Sequence, residues 1–517
     1  MLVNTYGAKC IGINAVKVTV ETDIRNGIGI HLVGLADAAV KESLLRTVNA
    51  LQSLGYRIPG RKMVINLAPA DLHKIGSGYD LPIAVGMIAA SEQETLPLTD
   101  EFVIMGELGL DGAVRDIPGA LSIATMAAEA GFRGCILPLK SAMEATGLDD
   151  VEIYGVRNLT EVISILSGRD DKSLYDIRGV KDCPGAACSS GILPEDIPDF
   201  KDIIGQESAK RGAEIAAAGG HNLIFIGSPG TGKSSLAKAI AGILPPMTTE
   251  EALVTRKIWS VAGKGFADGP LLRRRPVRTP HCTASPTAII GGGSGDNILP
   301  GEVSLAHGGV LFLDEFGQMP RSVIESLRAP LEDRKVVISR LKTKVEYPAS
   351  FLMVAASNPC PCGYWGEGDR CTCTPSQRMS YLSRLSGPIL DRIDIQLWLH
   401  PVNPSDILNR KEAEPSSAVA RRVMEARNLQ LERFAAEQIF TNAEMLGGHI
   451  RKYCPLDRKC TLLLTEMMDR YGLSMRAYFR IIRVARTIAD LEGAEDISPD
   501  HLCEAVGYRF LDRAKSL

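Results

Sequence analysis

Eight residues near the middle of the chain, Gly227-Ser228-Pro229-Gly230-Thr231-Gly232-Lys233-Ser234, have the types and order that bind a triphosphate. A triphosphate needs backbone N–H groups that converge on its oxygens with no side chains in the way. Gly227, Gly230 and Gly232 allow that wrap, with Ser228, Pro229 and Thr231 at the turn positions between them. Lys233 reaches the outer phosphates, and the Ser234 hydroxyl, followed by Ser235, can ligate Mg²⁺. The apolar run Leu223-Ile224-Phe225-Ile226 before the loop reads as a buried strand, and residues 234–240 after it read as a helix. The segment implies ATP or GTP binding.

Hydrolysis needs more than a phosphate loop. Val310-Leu311-Phe312-Leu313 runs into Asp314-Glu315, so an apolar strand ends in two carboxylates. Asp314 at such a position stands beside the Mg²⁺ held by Ser234. Glu315 can orient and deprotonate the attacking water. Residues 350–358 form a second apolar run ending in Asn358, whose amide can help position that water. Arg392 lies between Asp391 and Asp394; alone it would read as a surface ion pair. Arg476, Arg480 and Arg483 recur at helical spacing on one face, a pattern commoner in ion-paired stripes than in phosphate sensors.

The elements that carry these residues divide the chain. Its 517 residues exceed one core, and 45% hydrophobic with 23% charged residues is ordinary for a globular protein. Residues 1–170 alternate short strand-like runs (15–21, 62–67, 102–106) with helical ones (36–54, 81–90, 119–130), as in an α/β domain. Residues 171–195, rich in Gly, Pro, Ser and Asp, read as a linker. Residues 196–400 are α/β again and hold the phosphate loop. Residues 401–517 are expected to be helical, over 416–438, 456–470, 474–491 and 499–515. No apolar run reaches membrane-spanning length and no secretory signal is visible, so a cytoplasmic location without membrane contact is expected. Twelve cysteines then imply reduced thiols or metal ligands. A net charge of −3 gives no global attraction to nucleic acid, so any such surface must be local.

Phosphate loop, Asp-Glu strand, Asn strand, Asp-Arg and helical arginines, in that order, resemble an AAA+ ATPase. The resemblance implies sensor 1 at Asn358, an arginine finger at Arg392 and sensor 2 at Arg476. It also implies a homo-oligomeric ring, usually a hexamer, because a finger acts on the neighbouring subunit's nucleotide. Residues 278–315 (RTPHCTASPTAIIGGGSGDNILPGEVSLAHGGVLFLDE) are similar to the magnesium-chelatase branch. Residues 332–344 (EDRKVVISRLKTK) resemble the hairpin before sensor 1 and carry Arg334, Lys335, Arg340, Lys342 and Lys344. In a ring such hairpins face the pore, where those cations would meet DNA phosphates; the plainer reading is a solvated basic hairpin.

Cys360, Cys362, Cys371 and Cys373 form two C-x-C pairs separated by eight residues. They can supply four thiolates to a structural Zn²⁺, or remain reduced thiols or a redox pair. Residues 106–138 resemble the proteolytic domain of Lon proteases, a ribosomal S5 domain 2-like fold. Matching Lys74 and Gly76 to the nucleophile motif puts Gly78 at the nucleophilic serine and Ser122 at the catalytic lysine; a one-residue slip brings in Ser77 but no lysine. The expectation is an inactive Lon-like domain used for binding or assembly.

A Lon-like N-terminal domain, an AAA+ core, the C-x-C pairs and the terminal LSMRAYFRIIRVARTIADL together resemble the ComM/YifB family over nearly the whole chain. That resemblance implies an ATP- and Mg²⁺-dependent hexameric motor acting on single-stranded or branched DNA, a branch-migration helicase in recombination or natural transformation. Two alternatives are a chelatase-type motor remodelling a protein or porphyrin partner, and an ATP-dependent peptidase. The first lacks a visible D-x-S-x-S metal motif, and the second lacks the catalytic dyad.

Overall fold

A computed structural model describes residues 2–35, 37–148, 150–169, 175–177, 197–265, 275–293, 298–340, 344–385, 387–402, 413–437 and 439–511. The N-terminal part is built on a seven-stranded sheet. Its spatial order is Ile30–Val33, Lys62–Ala68, Asn14–Arg25, Leu2–Ile11, Phe102–Ile104, Gly134–Pro138 and Glu152–Val156. Leu2–Ile11 and Asn14–Arg25 form a long antiparallel hairpin whose turn uses Gly12 at φ 63°. From Leu2–Ile11 to Glu152–Val156 the neighbours run parallel. Helices Asp80–Ala90 and Ala120–Glu129 are apolar nearly all round and buried, closing one continuous core with the sheet.

Part of the expected linker belongs to this domain. Asp176 bridges to Tyr154 at the sheet edge, and Ile177 is buried in the core. The rest, 171–174 and 178–195, lies outside the described residues.

The central part is a five-stranded sheet in the order Val277–Arg278, Val310–Leu313, Leu352–Ser357, Leu223–Gly227, Ile395–Leu399, all parallel. Strands covered on both faces must be apolar on both, and Leu223–Gly227 and Leu352–Ser357 are buried at every position. The side chains alternate between two cores. Leu223, Phe225, Val310, Phe312 and Val354 face helices Glu207–Gly219, Ser416–Arg433 and Met475–Leu491. Ile224, Ile226, Leu311, Leu313 and Met353 face the other side, against Ile289, Val303 and the hairpin Lys335–Ser339/Lys344–Pro348.

The C-terminal part is helical: Ser416–Arg433, Gly447–Tyr453, Arg458–Tyr471, Met475–Leu491 and Pro499–Gly507. The first ends at Arg433 rather than 438, and the short helix at Gly447 was not expected from the pattern. Met475–Leu491 is the strongly amphipathic one and packs on Glu207–Gly219 and Pro499–Gly507. Among the described residues no helix is long and apolar enough to cross a membrane.

The first two parts meet through helix Thr249–Val261. Arg256 donates to the carbonyls of Glu144 (2.6 Å) and Thr146 (3.2 Å), and Ser260 Oγ donates to Glu144 Oε2 at 2.6 Å. Burial pushes the Glu144 carboxyl up to about 7, against the pull of Ser260 and Arg256.

Candidate active site

The phosphate loop joins strand Leu223–Gly227 to helix Lys233–Ala239. Gly230 and Gly232 take φ 83° and 87°, backbone that side chains rarely adopt. A Cβ on Gly227 would stand 2.7 Å from the Leu399 carbonyl. Lys233 Nζ donates to the carbonyls of Gly227 and Ser228, each at 2.7 Å. Those two bonds keep the amine folded over the loop. Burial pulls its pKa down while Asp314 opposes the fall. Thr231 Oγ1 donates to the Ser228 carbonyl at 2.9 Å, Ser228 is buried, and Pro229, Gly230 and Ser235 are exposed.

The two carboxylates stand at the same edge of the sheet. Ser234 Oγ donates to Asp314 Oδ2 at 2.9 Å, so the two expected Mg²⁺ ligands already share one locus. Glu315 is exposed and adopts φ 50°, a strained backbone for a residue with a side chain. Its Oε2 is 3.6 Å from Cys282 Sγ, a contact no sequence motif announced. Ile226 pairs with Ser357, which brings Asn358 level with the start of the phosphate loop. A lysine amine, a hydroxyl, two carboxylates and an amide are thus carried by segments at one rim of the sheet.

The arginines are elsewhere. Arg392 precedes strand Ile395–Leu399, and its carbonyl accepts from Asn222 Nδ2 at 3.2 Å, just before Leu223. It is largely buried, ion-paired with Glu332, and donates to the Pro388 carbonyl at 2.8 Å. Arg476 is exposed and lines a cavity of about 360 Å³ with Asn222, Glu332, Arg334 and Asp394. Both therefore sit at the strand-start edge, opposite the phosphate loop of their own chain. Arg480 is committed to Asp394 at 2.5 Å, which with the other cations holds that carboxyl well below the usual range. Arg483 donates to the Ala443 carbonyl at 2.7 Å.

The basic hairpin alternates as a half-buried ribbon. Val336, Ile338, Val345 and Tyr347 point inward, while Lys335, Arg340 and Lys344 are exposed. Glu346 contacts Lys335 at 3.2 Å and Lys344 at 3.8 Å, moderating the charge. Arg334 is not on this exposed face; it pairs with Glu444 at 2.7 Å. Lys342 lies outside the described residues.

Cys360, Cys362, Cys371 and Cys373 come together, their sulfur atoms all within 4.8 Å of one another. A tetrahedral zinc with Zn–S of about 2.3 Å has S···S edges of about 3.8 Å. The separations of 3.3 Å (Cys360–Cys362), 3.8 Å (Cys360–Cys371) and 3.6 Å (Cys362–Cys371) fit that donor set. Backbone N–H groups, that of Tyr364 foremost, pull the Cys362 thiol down to about 6, toward the thiolate a metal needs.

In the N-terminal domain, Ser77 Oγ donates to the carboxylate of Glu107. The Lys74 amine is buried against the carbonyls of Leu67 and Pro69, and Ser122 donates to the Ile13 carbonyl at 2.7 Å. Ser77 and Glu107 line a cavity of about 290 Å³ shared with Val345 and Tyr347 of the hairpin.

Residues 199–407 match the family described as magnesium chelatase, subunit ChlI, and residues 413–509 match its C-terminal family. Residues 20–141 match the family described as subunit ChlI of Mg-chelatase. The chain is 43% identical to YifB of Salmonella typhimurium over 515 residues, 99% of this chain and 97% of that one. It is 40% identical to the competence protein ComM of Haemophilus influenzae, covering 98% and 97%. The magnesium-chelatase 38 kDa subunit of Rhodobacter capsulatus is 23% identical, over 61% of this chain and 87% of that subunit.

Proposed function

The chain belongs to the ComM/YifB family of magnesium-chelatase-like AAA+ proteins, and from that premise we propose that it is an ATP-hydrolysing DNA motor. In this reading it works as a homo-hexameric ring that moves branched DNA, a branch-migration helicase serving recombination or the uptake of transforming DNA. The similarity to the competence protein ComM of Haemophilus influenzae supports the biological setting.

The observation that carries the ring is the separation of the catalytic groups. Lys233, Ser234, Asp314, Glu315 and Asn358 gather at one edge of the sheet, and Arg392 and Arg476 at the other. A nucleotide held by one subunit's phosphate loop would receive both arginines from its neighbour. Lys233 and the loop N–H groups bind the phosphates, Ser234 and Asp314 hold Mg²⁺, Glu315 takes the proton of the attacking water, and Asn358 orients it. Arg392 then neutralises charge developing on the transferred phosphoryl, and Arg476 reads the same phosphate from across the interface. Sensor 2 on this reading works in trans.

Hydrolysis moves the hairpin bearing Lys335, Arg340 and Lys344 along DNA phosphates. The N-terminal domain is read as a Lon-like fold without a protease's Ser-Lys dyad, since Ser77 faces Glu107 and Ser122 faces a carbonyl; the helical part is read as the lid. A chelatase-type motor acting on a porphyrin or protein partner is the second reading, favoured by the family match over 199–407. The deciding experiment follows a labelled four-way junction with ATP and Mg²⁺. Conversion to duplex products by wild type and not by Glu315→Gln supports the motor. No conversion by a chain that hydrolyses ATP refutes branch migration.

A further inference from the structure

The four-cysteine loop is built against the phosphate loop. It begins two residues after Asn358 and, apart from the single 3₁₀ turn Gly368–Arg370, runs to Cys373 without regular structure. A loop of that length holds one shape only if something closes it. Glu367, midway along it, accepts the hydroxyl hydrogen of Ser228, and Arg370 anchors the same carboxylate at 3.0 Å. Gly363 lies so close to Pro229 that a Cβ would stand 3.0 Å from its ring. Trp365 packs edge-on against Trp398, with centroids 5.6 Å apart, on the strand beside the one that leads into the loop.

We propose that a zinc-class divalent cation bound by Cys360, Cys362, Cys371 and Cys373 holds the phosphate loop in its nucleotide-binding shape, with Glu367 as the positioning residue that joins the two sites. The proposal rests on the reading of the loop as a nucleotide site. A metal on four thiolates removes the freedom of the Cys360–Cys373 segment before any nucleotide arrives. The Glu367–Ser228 and Gly363–Pro229 contacts then restrain Ser228 and Pro229 near the start of the phosphate loop. Coupling of this kind is reciprocal: metal tightens nucleotide, and nucleotide must tighten metal by the same factor.

The test uses the purified full-length protein. Metal content is measured by mass spectrometry, and zinc release to a chromophoric chelator is timed with and without Mg-ADP. Binding of fluorescent ADP is measured on the same samples. One zinc per chain is expected, released about fivefold or more slowly in Mg-ADP. Glu367→Ala should keep its zinc but lose most of that nucleotide effect. Glu367→Gln, which keeps an acceptor for Ser228, should retain it. Lys233→Ala, impaired in nucleotide binding, serves as the control for chelation by ADP itself.

Absence of bound zinc overturns the proposal, as does a release rate indifferent to bound ADP. An undiminished effect in Glu367→Ala removes Glu367 from it. Failure of wild type to bind fluorescent ADP would defeat the nucleotide-site reading itself, a result distinct from binding without coupling.

Discussion

Asn222 donates its side-chain amide to the carbonyl of Arg392 at 3.2 Å, pinning this arginine beside the first residue of the strand that leads into the phosphate loop. That strand, Leu223–Gly227, is five residues long, about 16 Å at the usual rise per residue. Arg392 and Lys233 therefore belong to opposite edges of one sheet. On the motor reading, Arg392 would then serve the nucleotide of a neighbouring subunit.

Mixing experiments test this directly. Arg392→Ala alone should lose ATPase by about 10³-fold or more. Lys233→Ala alone should be strongly impaired, because it binds nucleotide weakly and lacks the amine that steadies the outer phosphates. Mixed, the two should regain part of the activity, because a ring can then pair an intact phosphate loop with an intact arginine. Steady-state phosphate release against mixing ratio reads the result. Flat inactivity at every ratio would remove Arg392 from a trans role.

Lys233 and Glu315 should fail differently. Losing the Lys233 amine removes charged hydrogen bonds of about 1.5–3 kcal/mol, so nucleotide affinity should fall about 10- to 100-fold. Glu315→Gln should bind ATP with near-native affinity and turn it over about 10²–10⁴-fold more slowly. Equilibrium binding with single-turnover kinetics separates the two. Normal turnover by Glu315→Gln would withdraw its role with the water.

Much of the phosphate site was legible because it is local in sequence. Glycine spacing, the lysine and an apolar run before them are written within a dozen residues, and the Asp-Glu strand carries its own hydrophobic signature. The cysteines were legible by spacing for the same reason. The partners of these groups were not. Glu367 reaches Ser228 and Cys282 reaches Glu315 only through the folded topology. The three arginines of the last long helix share one face in sequence, yet Arg480 meets Asp394, Arg483 meets a carbonyl and Arg476 is exposed. Periodicity gives a face but not what covers it. Strand Leu2–Ile11 was missed because Gly7, Ala8 and Lys9 interrupt its apolar alternation, and its place is set by the hairpin partner. The helix at Gly447 opens on two glycines, against its propensity, and is held by packing of Ile450 in the core.

The junction between the N-terminal domain and the core should respond to pH. The Glu144 carboxyl is raised from its ordinary value to about 7, chiefly by burial. A raised acid stabilises the folded protein fully below its unfolded value near 4.5, and that contribution is lost as pH rises through about 7. Glu144→Gln imitates the protonated form. It should flatten the dependence of Tm on pH between about 5 and 8 and raise Tm at pH 8 by a few degrees, about 2–4 °C per kcal/mol. A wild-type Tm indifferent to pH across that window would contradict the assignment.

Lys335 and Lys344 are exposed among the described hairpin residues, and on the motor reading they meet the phosphate backbone of DNA. Replacing each by Ala should weaken DNA binding at every sequence alike and lower the slope of log affinity against log salt by about 1 per lysine. Fluorescence anisotropy across a salt series reads both effects. An unchanged slope in the double variant would place the DNA contact elsewhere.

The central claim, that nucleotide hydrolysis drives movement on DNA, is tested most directly by steady-state ATPase of the full-length chain. Phosphate release is compared without DNA and with single strands, duplex and a four-way junction, each at low and high salt. The motor reading predicts clear stimulation by DNA that weakens as salt rises. Intact basal hydrolysis that no DNA alters at either salt would contradict it and point to a protein or porphyrin as the motor's load.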